Sequence, residues 1–220
     1  MTLDDRNRRN DEIRRGQNFI GDVHKKMSRI AQEFAAGELN RAQFLRLYDR
    51  YQRQILLVAQ MIAESDPAGW RDAIADGEDT LEIRRRFESM PVGLSVYSNH
   101  SGMPLETVGD FAVEPELVTP MLEVYASATA EIFNAAVRSI ELDSGAWLCF
   151  VRGQHTSLLA LFSVEPASFQ VGLIERLHAD FEVANHKALA EGETDASQLT
   201  HSFYSLVEQT QFGEVPPRED

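Results

Sequence analysis

The sequence predicts an α/β protein of the α+β type, with helices and antiparallel strands in separate stretches of the chain. Two observations support this fold class. Helical hydrophobic periodicity gives way to strand-like alternation at Pro91, and five short strand patterns then surround one long helical pattern. The predicted order over residues 80–190 is therefore α-β-β-α-β-β-β-α. A helical hairpin precedes it.

The hairpin is predicted over about residues 17–65. Its first helix ends at Gly37, since glycine readily adopts the left-handed conformation that follows a helix C-terminus. Asn40 and Gln43 then have the spacing of a capping box, which starts the second helix. Residues 1–15 hold almost nothing apolar, so we expect a frayed lead-in there. The apolar stripes are Ile20, Val23, Met27, Ile30 and Phe34, and then Phe44, Tyr48, Tyr51, Ile55, Val58 and Ile62.

Two short helices are predicted between the hairpin and the first strand. Proline at the first helical position favours a helix over about 67–76, and a second helix follows Asp79. Arg84, Arg85 and Arg86 point around that helix, which favours a solvated basic face over an anion site. The predicted divisions are a helical extension at 1–78, an α/β domain at 79–191, and a C-terminal helix and disordered tail at 192–220. The buried candidates of the second short helix are Leu81, Ile83 and Phe87.

The strands are predicted as one hairpin and one three-stranded meander. Alternation places Val92, Leu94 and Val96 on one face of the first strand, and Pro104 marks the returning strand as an edge strand or a strand start. The last two strands are apolar at nearly every residue, so we expect both to be central and covered on two faces. The meander strands are at 139–143, 146–152 and 156–164, with tight turns at Ser144-Gly145 and Gly153-Gln154, and the last domain helix follows Pro166.

The long helix predicted over residues 114–137 is apolar on two adjacent arcs. Together the arcs cover about 200°, whereas a helix that packs on its own sheet needs roughly 100°. A second copy of the helix across a two-fold axis is the simplest cover for the additional arc. The predicted dimer or partner interface consists of Val118, Leu122, Ala126, Ala130, Phe133 and Val137, with Ile140 and Leu142 of the next strand.

The net charge of the chain argues against two classes of binding partner. The formal net charge is −14, and residues 1–60 hold 12 Lys+Arg against 8 Asp+Glu, which leaves 9 against 27 for the remainder. An acidic surface of this size repels phosphate backbones and anionic lipids. We therefore expect neither nucleic acid nor membrane as the partner.

Cysteine usage and hydropathy indicate the compartment. The single cysteine, Cys149, cannot form an internal disulfide, which gives no sign of an oxidising compartment. The longest apolar run, at 55–63, is far shorter than the roughly 20 residues of a membrane span, and no signal-peptide pattern is present. These observations predict a soluble cytoplasmic protein.

Four residues could carry chemistry, and each has a more ordinary interpretation. Cys149 and His155 suggest a nucleophile pair, but the middle of an apolar strand keeps a thiol buried and protonated. His178 and His186 are eight residues apart on the last helix, a poor spacing for a metal pair. No catalytic or nucleotide-binding motif is present. The sequence therefore predicts no catalytic, cofactor-binding or metal-binding residues.

Three segments resemble the Roadblock/dynein light chain family. VGLSVYSNHSGMPLETV (92–108) resembles the family's first strand hairpin, and VEPELVTPMLEVYASATAEI (113–132) is similar to its long alanine-containing helix. LLALFSVEPASFQVGLIERL (158–177) resembles its last strand and final helix, with Gly172 at the family's glycine position. The turn has Ser101-Gly102 where the family more often has an acidic residue before glycine. Residues 1–78 have no counterpart in the minimal domain.

The resemblance implies a longin-like fold, in which an antiparallel five-stranded sheet has one helix on one face and two on the other. It implies a homodimer formed through the third strand and the central helix, in agreement with the two apolar arcs. Prokaryotic members commonly regulate or scaffold Ras-like small GTPases. The implied function is thus a non-enzymatic dimeric regulator or scaffold that binds such a GTPase, with stimulation of the GTPase as one form of that role.

Two other function classes stay open. A signalling sensor would hold a small ligand between the sheet and the helices, and an internal cavity of about 300 Å³ or more with convergent polar groups would favour it. A hydrolase or other enzyme built on Cys149, His155 or the carboxylates is the third class.

Overall fold

The computed structural model describes residues 3–63, 79–113 and 139–192, together with positions 74, 118, 195 and 198–200. Most of the predicted helix over 67–76 and of the predicted C-terminal helix, and all of the predicted central helix except Val118, lie outside the described residues. The chain divides into two compact units, Met1–Glu88 and Ser89–Asp220. Within the described part, no helix combines the length and apolarity of a membrane span.

The first unit contains the predicted helical hairpin and one short helix. These are α1 (Leu3–Ala35), α2 (Arg41–Ala63) and α3 (Thr80–Arg86). Because α1 already begins at Leu3, the expectation of a frayed lead-in over residues 1–15 is wrong. Exposed ion pairs at i,i+3 spacing, such as Arg14 with Asp11 at 3.0 Å, support this polar part of the helix.

The core of the first unit lies where α1, α2 and α3 meet. Gly37 follows α1 with a φ of 76°, as predicted for a helix C-terminus. At Gly16 an added Cβ would lie 2.7 Å from Cδ1 of Ile62, so this glycine allows α1 and α2 to approach closely. The buried apolar cluster comprises Val23, Met27, Ile30, Leu39, Leu47, Tyr51 and Ile83.

The capping box at the start of α2 is confirmed and has a second role. The backbone N–H of Asn40 donates to Oε1 of Gln43 at 3.0 Å, and the N–H of Gln43 donates to Oδ1 of Asn40 at 2.8 Å. The same side chains donate to the carbonyls of Phe87 at 2.7 Å and of Arg84 at 2.8 Å. These bonds tie α3 to the hairpin, and both lie within the unit Met1–Glu88.

The predicted buried residues of α3 are partly wrong. Ile83 is buried against the hairpin and Phe87 is partly buried there, but Leu81 is 53% exposed. Two residues along a helix correspond to a rotation of about 200°, so Leu81 faces away when Ile83 faces the core.

Arg84 was predicted to lie on a solvated basic face, but its side chain is partly buried against α1. Its guanidinium forms an ion pair with Glu33 of α1, whose carboxylate is mostly buried. Burial alone would raise the pKa of Glu33, but hydrogen bonds from Arg84 and Arg29 outweigh it and lower that pKa below its usual value. Arg86 instead pairs with Glu82 on the exposed side of α3, at 3.5 Å.

The second unit contains one antiparallel five-stranded sheet, as predicted. The strand order is β2-β1-β5-β4-β3, and every residue of β5 is buried, which confirms a central strand covered on two faces. β2 begins at Pro104 and is an edge strand, also as predicted. The elements are β1 (Pro91–Ser98), β2 (Pro104–Gly109), β3 (Ser139–Glu141), β4 (Trp147–Arg152), β5 (Thr156–Phe162), α4 (Ser168–Ala184) and α5 (His186–Ala190).

Each face of the sheet carries its own apolar cluster. The first cluster packs α4 on the sheet through Ile174 and Phe181. The opposite cluster contains Leu148, Phe150, Leu159 and Leu161 of the sheet, with Val118 buried among them. Alternate residues of β4 and β5 therefore pack on opposite faces.

Val92 does not share a face with Leu94 and Val96, contrary to the prediction. Leu94 and Val96 belong to the α4 face, whereas Val92 packs with the opposite cluster. The pairing of β1 with β5 shifts register between Pro91 and Gly93. Such a bulge interrupts the two-residue alternation, so Val92 faces the other side.

Candidate functional site

Three residues of the predicted interface share one apolar cluster. Val118 is 3% exposed, and Ile140 and Leu142 are partly buried beside it on the sheet face opposite α4. β3, which carries Ile140, pairs with β4 and is the edge strand opposite β2. The other predicted interface residues, Leu122, Ala126, Ala130, Phe133 and Val137, lie outside the described residues.

Cys149 is in the middle of β4 and is completely buried on the α4 face. Burial raises the pKa of its thiol to about 12, so the thiol is protonated at neutral pH and is a poor nucleophile. His155 lies in the turn between β4 and β5, outside the α4-face cluster. The structure thus agrees with the interpretation of Cys149 as a core residue.

His178 and His186 occupy different environments, as their spacing suggested. His178 is buried and its Nε2 lies 2.9 Å from Oγ1 of Thr156. The ring of His186 instead lies beside that of His155, with centroids 5.7 Å apart. Among the residues that the structure describes, no group of three His, Cys, Asp or Glu side chains is arranged to hold a metal ion.

Glu182, near the end of α4, organises the turn between β4 and β5. Its carboxylate accepts hydrogen bonds from the backbone N–H groups of Gln154, His155 and Thr156 at 2.7 to 2.8 Å. The hydroxyl of Thr156 donates a fourth at 2.9 Å. Burial alone would raise the pKa of Glu182, but the hydrogen bonds from these amides outweigh it and lower that pKa. The carboxylate is therefore ionised at neutral pH.

The same network determines the protonation state of His178. Burial lowers its pKa below the ordinary value of 6.5, and the negative charge of Glu182 opposes this only in part. Thr156 donates its one hydroxyl hydrogen to Glu182, so its oxygen accepts from His178. His178 is thus a neutral imidazole with its hydrogen on Nε2.

Asn99, directly after β1, joins the end of that strand to the same turn. Its N–H donates to the carbonyl of His155 at 2.9 Å. Its side-chain amide donates to the carbonyls of Gly153 and Thr156 at 3.1 and 3.2 Å, and Oδ1 accepts from Ser157 at 2.6 Å. Every hydrogen-bonding group of this side chain therefore holds the two turns together.

A small pocket opens at this end of the sheet, and we call it the end pocket. Its volume is about 260 Å³. Nε2 of His155 is buried and has no hydrogen-bond partner among the described residues, which is unusual for a buried polar atom. Its burial also means that this atom does not face the open pocket. The pocket is lined by Ser98, Asn99, His100, Gln154, His155, Leu189 and Gly192.

Sequence reasoning considered parts of this site without assembling it. It considered His155 as a partner of Cys149, and His186 as a partner of His178. Glu182 carried no signal of its own among the many acidic residues. The available clue was the prediction of a tight Gly153-Gln154 turn, because such a turn presents several backbone N–H groups that need acceptors.

No protein-family profile, curated protein or solved structure matches the chain significantly. The resemblance to the Roadblock family therefore rests on the segments and the element order described above.

Proposed function

We propose that the protein is a non-enzymatic dimeric regulator or scaffold that binds a Ras-like small GTPase. The observation that supports this most is the sheet of the second unit, a five-stranded antiparallel sheet in the order β2-β1-β5-β4-β3. It agrees with the fold that the resemblance implies, in which a long helix connects the second and third strands.

The proposed dimer forms through β3 and the central helix. β3 is three residues long and lies at the sheet edge, where a strand from a second copy can add by main-chain hydrogen bonds. Ile140 on this strand packs in the same apolar cluster as Val118, which is the part of the predicted helix that the structure describes. In the proposal, one arc of the helix covers the sheet and the other meets the second copy.

The buried environment of Cys149 also fits the proposal. A thiol held protonated by burial serves packing, and a single cysteine fits the proposed cytoplasmic location, where thiols stay reduced. The proposal assigns no catalytic residue to this chain. Stimulation of the GTPase would act in trans, on the partner's own site.

The sensor alternative receives less support between the sheet and α4. That space is filled by a continuous apolar cluster in which Leu158, Phe162 and Phe181 are almost completely buried. The end pocket lies elsewhere, at the turns that follow β1 and β4.

The proposal is tested first by sedimentation and then by affinity capture. We expect a wild-type dimer at micromolar concentration, a monomer for Ala126→Arg, and a dimer for the control Val183→Arg, since Val183 is 78% exposed on α4. Capture from the native cytoplasm should then recover a small GTPase that rebinds as a purified protein and whose hydrolysis rate can be measured. A monomeric wild type excludes the dimer, and failure of every purified small GTPase to bind excludes the function.

A further inference from the structure

We infer that one side of α2 binds an amphipathic helix of a partner protein, and that acidic residues border the apolar face of this partner helix. The binding surface, which we call the α2 stripe, consists of Leu45, Tyr48, Gln52, Ile55, Ala59 and Ile62. The inference does not depend on GTPase binding, because no residue of the α2 stripe belongs to the predicted dimer or partner interface.

The first argument is the spacing of the α2 stripe. Its residues follow one another at alternating intervals of three and four positions, which is the heptad spacing of a helix that packs lengthwise against another helix. The buried apolar residues of α2 form a separate row, about 100° away around the helix axis. Those residues are Leu47, Tyr51 and Val58. Since one row already faces the core of the first unit, the second row indicates a second helical neighbour.

The second argument is exposed apolar area. Leu45 is 56% exposed, and Leu56, adjacent to Ile55 in the chain, is 69% exposed. Tyr48 and Ile55 are partly exposed. Single apolar residues are common on protein surfaces, but a continuous row of them is typical of an interaction site. A single polar residue such as Gln52 within an apolar seam fixes the register of the two helices.

Aromatic contacts extend this surface onto α1. Phe34 of α1 is 39% exposed, and its ring stacks on that of Phe44 with the centroids 4.6 Å apart. The centroid of the Phe44 ring lies 5.5 Å from that of Tyr48. A helix that lies on the α2 stripe therefore also reaches Phe34. Contact with two helices at once buries more apolar surface than contact with one, as in helices that bind in a groove.

The third argument is charge. α2 contains four arginines and one aspartate, Asp49. Arg46 and Arg53 each directly follow a residue of the α2 stripe, so they form a row about 100° further around the helix, at the border of the stripe. The ring of Phe87, whose centroid is 5.4 Å from Cζ of Arg46, leaves the positive charge of this arginine in place. Arg53 pairs with Asp49, but such exposed pairs are weak. Acidic residues on the partner helix complement this border.

The same charges argue against two other occupants of the α2 stripe. A second copy of the chain would bring the same row of arginines to the stripe, and like charges across an interface are unfavourable. An anionic membrane is repelled by the net charge of −14 of the whole chain. Heptad spacing is also no requirement for binding to a membrane surface, whereas a partner helix requires it.

The test measures the binding of two designed helical peptides of three heptads to the full chain by fluorescence anisotropy. Both peptides carry leucine at the a and d positions; one carries glutamate at the e and g positions, and the other carries lysine there. We expect the glutamate peptide to bind with a Kd on the order of 10 µM and the lysine peptide to bind at least about 10-fold more weakly. The difference should shrink as the salt concentration is raised, since the charges at the border of the stripe are exposed.

Two matched pairs of variants locate the binding. Leu56→Ser removes an exposed apolar side chain beside the α2 stripe and should weaken binding of the glutamate peptide about 10-fold, whereas Leu81→Ser, at a 53% exposed position of α3, should have no effect. Arg53→Glu reverses a charge at the border and should weaken the glutamate peptide and strengthen the lysine peptide, each about 5-fold. Arg14→Glu makes the same change at an exposed, paired arginine of α1 and should alter neither affinity. If Leu56→Ser does not fold, Leu45→Ser replaces it.

The inference is wrong if the glutamate peptide does not bind, if the two peptides bind equally well, or if Leu56→Ser binds the glutamate peptide as tightly as Leu81→Ser does. It is also wrong if Leu56→Ser lowers the oligomeric state in sedimentation, because a second copy then occupies the α2 stripe. Vesicles of phosphatidylserine and phosphatidylcholine are the last probe. If they bind the wild type but not Leu56→Ser, the stripe is a membrane-binding surface and the inference is wrong.

Discussion

Oε1 of Glu182 accepts two hydrogen bonds from Thr156, one from its backbone N–H at 2.7 Å and one from its hydroxyl at 2.9 Å. The acid lies on α4 and the threonine begins β5, so this pair joins the helix to the central strand of the sheet. Because Thr156 also accepts from His178, the contact links a carboxylate, a hydroxyl and an imidazole in one network.

The first prediction concerns the charge of this network. Glu182→Gln places an NH₂ group where a carboxylate oxygen now accepts a backbone N–H, so one donor meets another. We expect the second unit to lose about 1–3 kcal/mol in its free energy of unfolding. Urea unfolding followed by Trp147 fluorescence in a Trp70→Phe background measures this loss. Asp180→Asn makes the same charge change at an exposed site of α4 and should be near neutral; an equal loss there would contradict the prediction.

The second prediction concerns Gly153, which lies in the turn beneath Glu182. A Cβ added there would lie 2.3 Å from Cδ of Glu182 and 2.4 Å from its two oxygens. Gly153→Ala should therefore displace the carboxylate and cost as much as Glu182→Gln, about 1–3 kcal/mol. In a Glu182→Ala background the clash disappears, and the additional cost of Gly153→Ala should fall below about 1 kcal/mol.

Replacement of a glycine on α4 by alanine should have the opposite effect on the stability of the second unit. A Cβ at Gly172 would meet only Nη1 of Arg176, at 4.0 Å. Gly172→Ala should then stabilise the second unit by up to about 1 kcal/mol, through helix propensity. Destabilisation by both alanines would show that the cost at Gly153 is not specific to the contact with Glu182.

The third prediction concerns pH. Burial lowers the pKa of His178 below its ordinary value of 6.5, so the unfolded chain binds a proton more readily than the folded one. The pKa of Glu182 is also lowered, from 4.5. Both shifts have the same sign: stability is complete above about pH 6.5, falls as the pH drops below it, and falls further below pH 4.5. Urea unfolding of the wild type between pH 7.5 and pH 5 should show the first decrease.

His178→Gln is the control for the pH prediction. It keeps a side-chain donor for Thr156 but cannot take up a proton, so the decrease between pH 7 and pH 5 should become smaller. His24→Gln, at an exposed position of α1, should leave it unchanged. If His178→Gln loses as much stability between pH 7 and pH 5 as the wild type does, groups other than His178 cause the loss.

Sequence periodicity was sufficient for the secondary structure but not for contacts between distant residues. The hairpin, the five strands and α4 follow from local patterns, because each apolar stripe or run reflects one packed face. Val92 was misplaced because a β-bulge depends on the pairing partner, which alternation in a single strand does not reveal. Likewise, the attachment of α3 depends on side chains of Asn40 and Gln43 that bond to carbonyls more than 40 residues away.

The end pocket was beyond sequence reasoning for the same reason. Its parts come from the turn after β1, the turn after β4 and the segment after α4, and only the fold brings them together. Sequence reasoning took each histidine alone and judged it a poor catalytic or metal-binding candidate. The buried, unpartnered Nε2 of His155 is a property of the assembled site, so no local pattern could predict it.

The last prediction concerns Arg50 on α2. Its Nε and Nη1 atoms are buried without a hydrogen-bond partner in the described part of the chain. In the sequence, Arg50 stands between the core residues Leu47 and Tyr51. The desolvation of these two nitrogens without a hydrogen bond is unfavourable, and a side chain of similar length can replace the aliphatic part of Arg50. Arg50→Met should therefore raise the stability of the first unit by about 1–3 kcal/mol. Hydrogen exchange of α1 and α2 peptides, read by mass spectrometry, measures this unit separately.

Arg53→Met is the matched control for Arg50→Met, three residues further along the same helix. Arg53 is exposed and pairs with Asp49 at i,i+4 spacing, so its replacement should cost no more than about 0.5 kcal/mol. If Arg50→Met raises the stability of the first unit and Arg53→Met lowers it, the buried guanidinium of Arg50 destabilises the free protein. Slower exchange in Arg50→Met, together with weaker capture of a GTPase, would then indicate that Arg50 is retained for a partner's carboxylate or phosphate. Faster exchange in Arg50→Met than in Arg53→Met would contradict the prediction, because it would mean that Arg50 stabilises the hairpin.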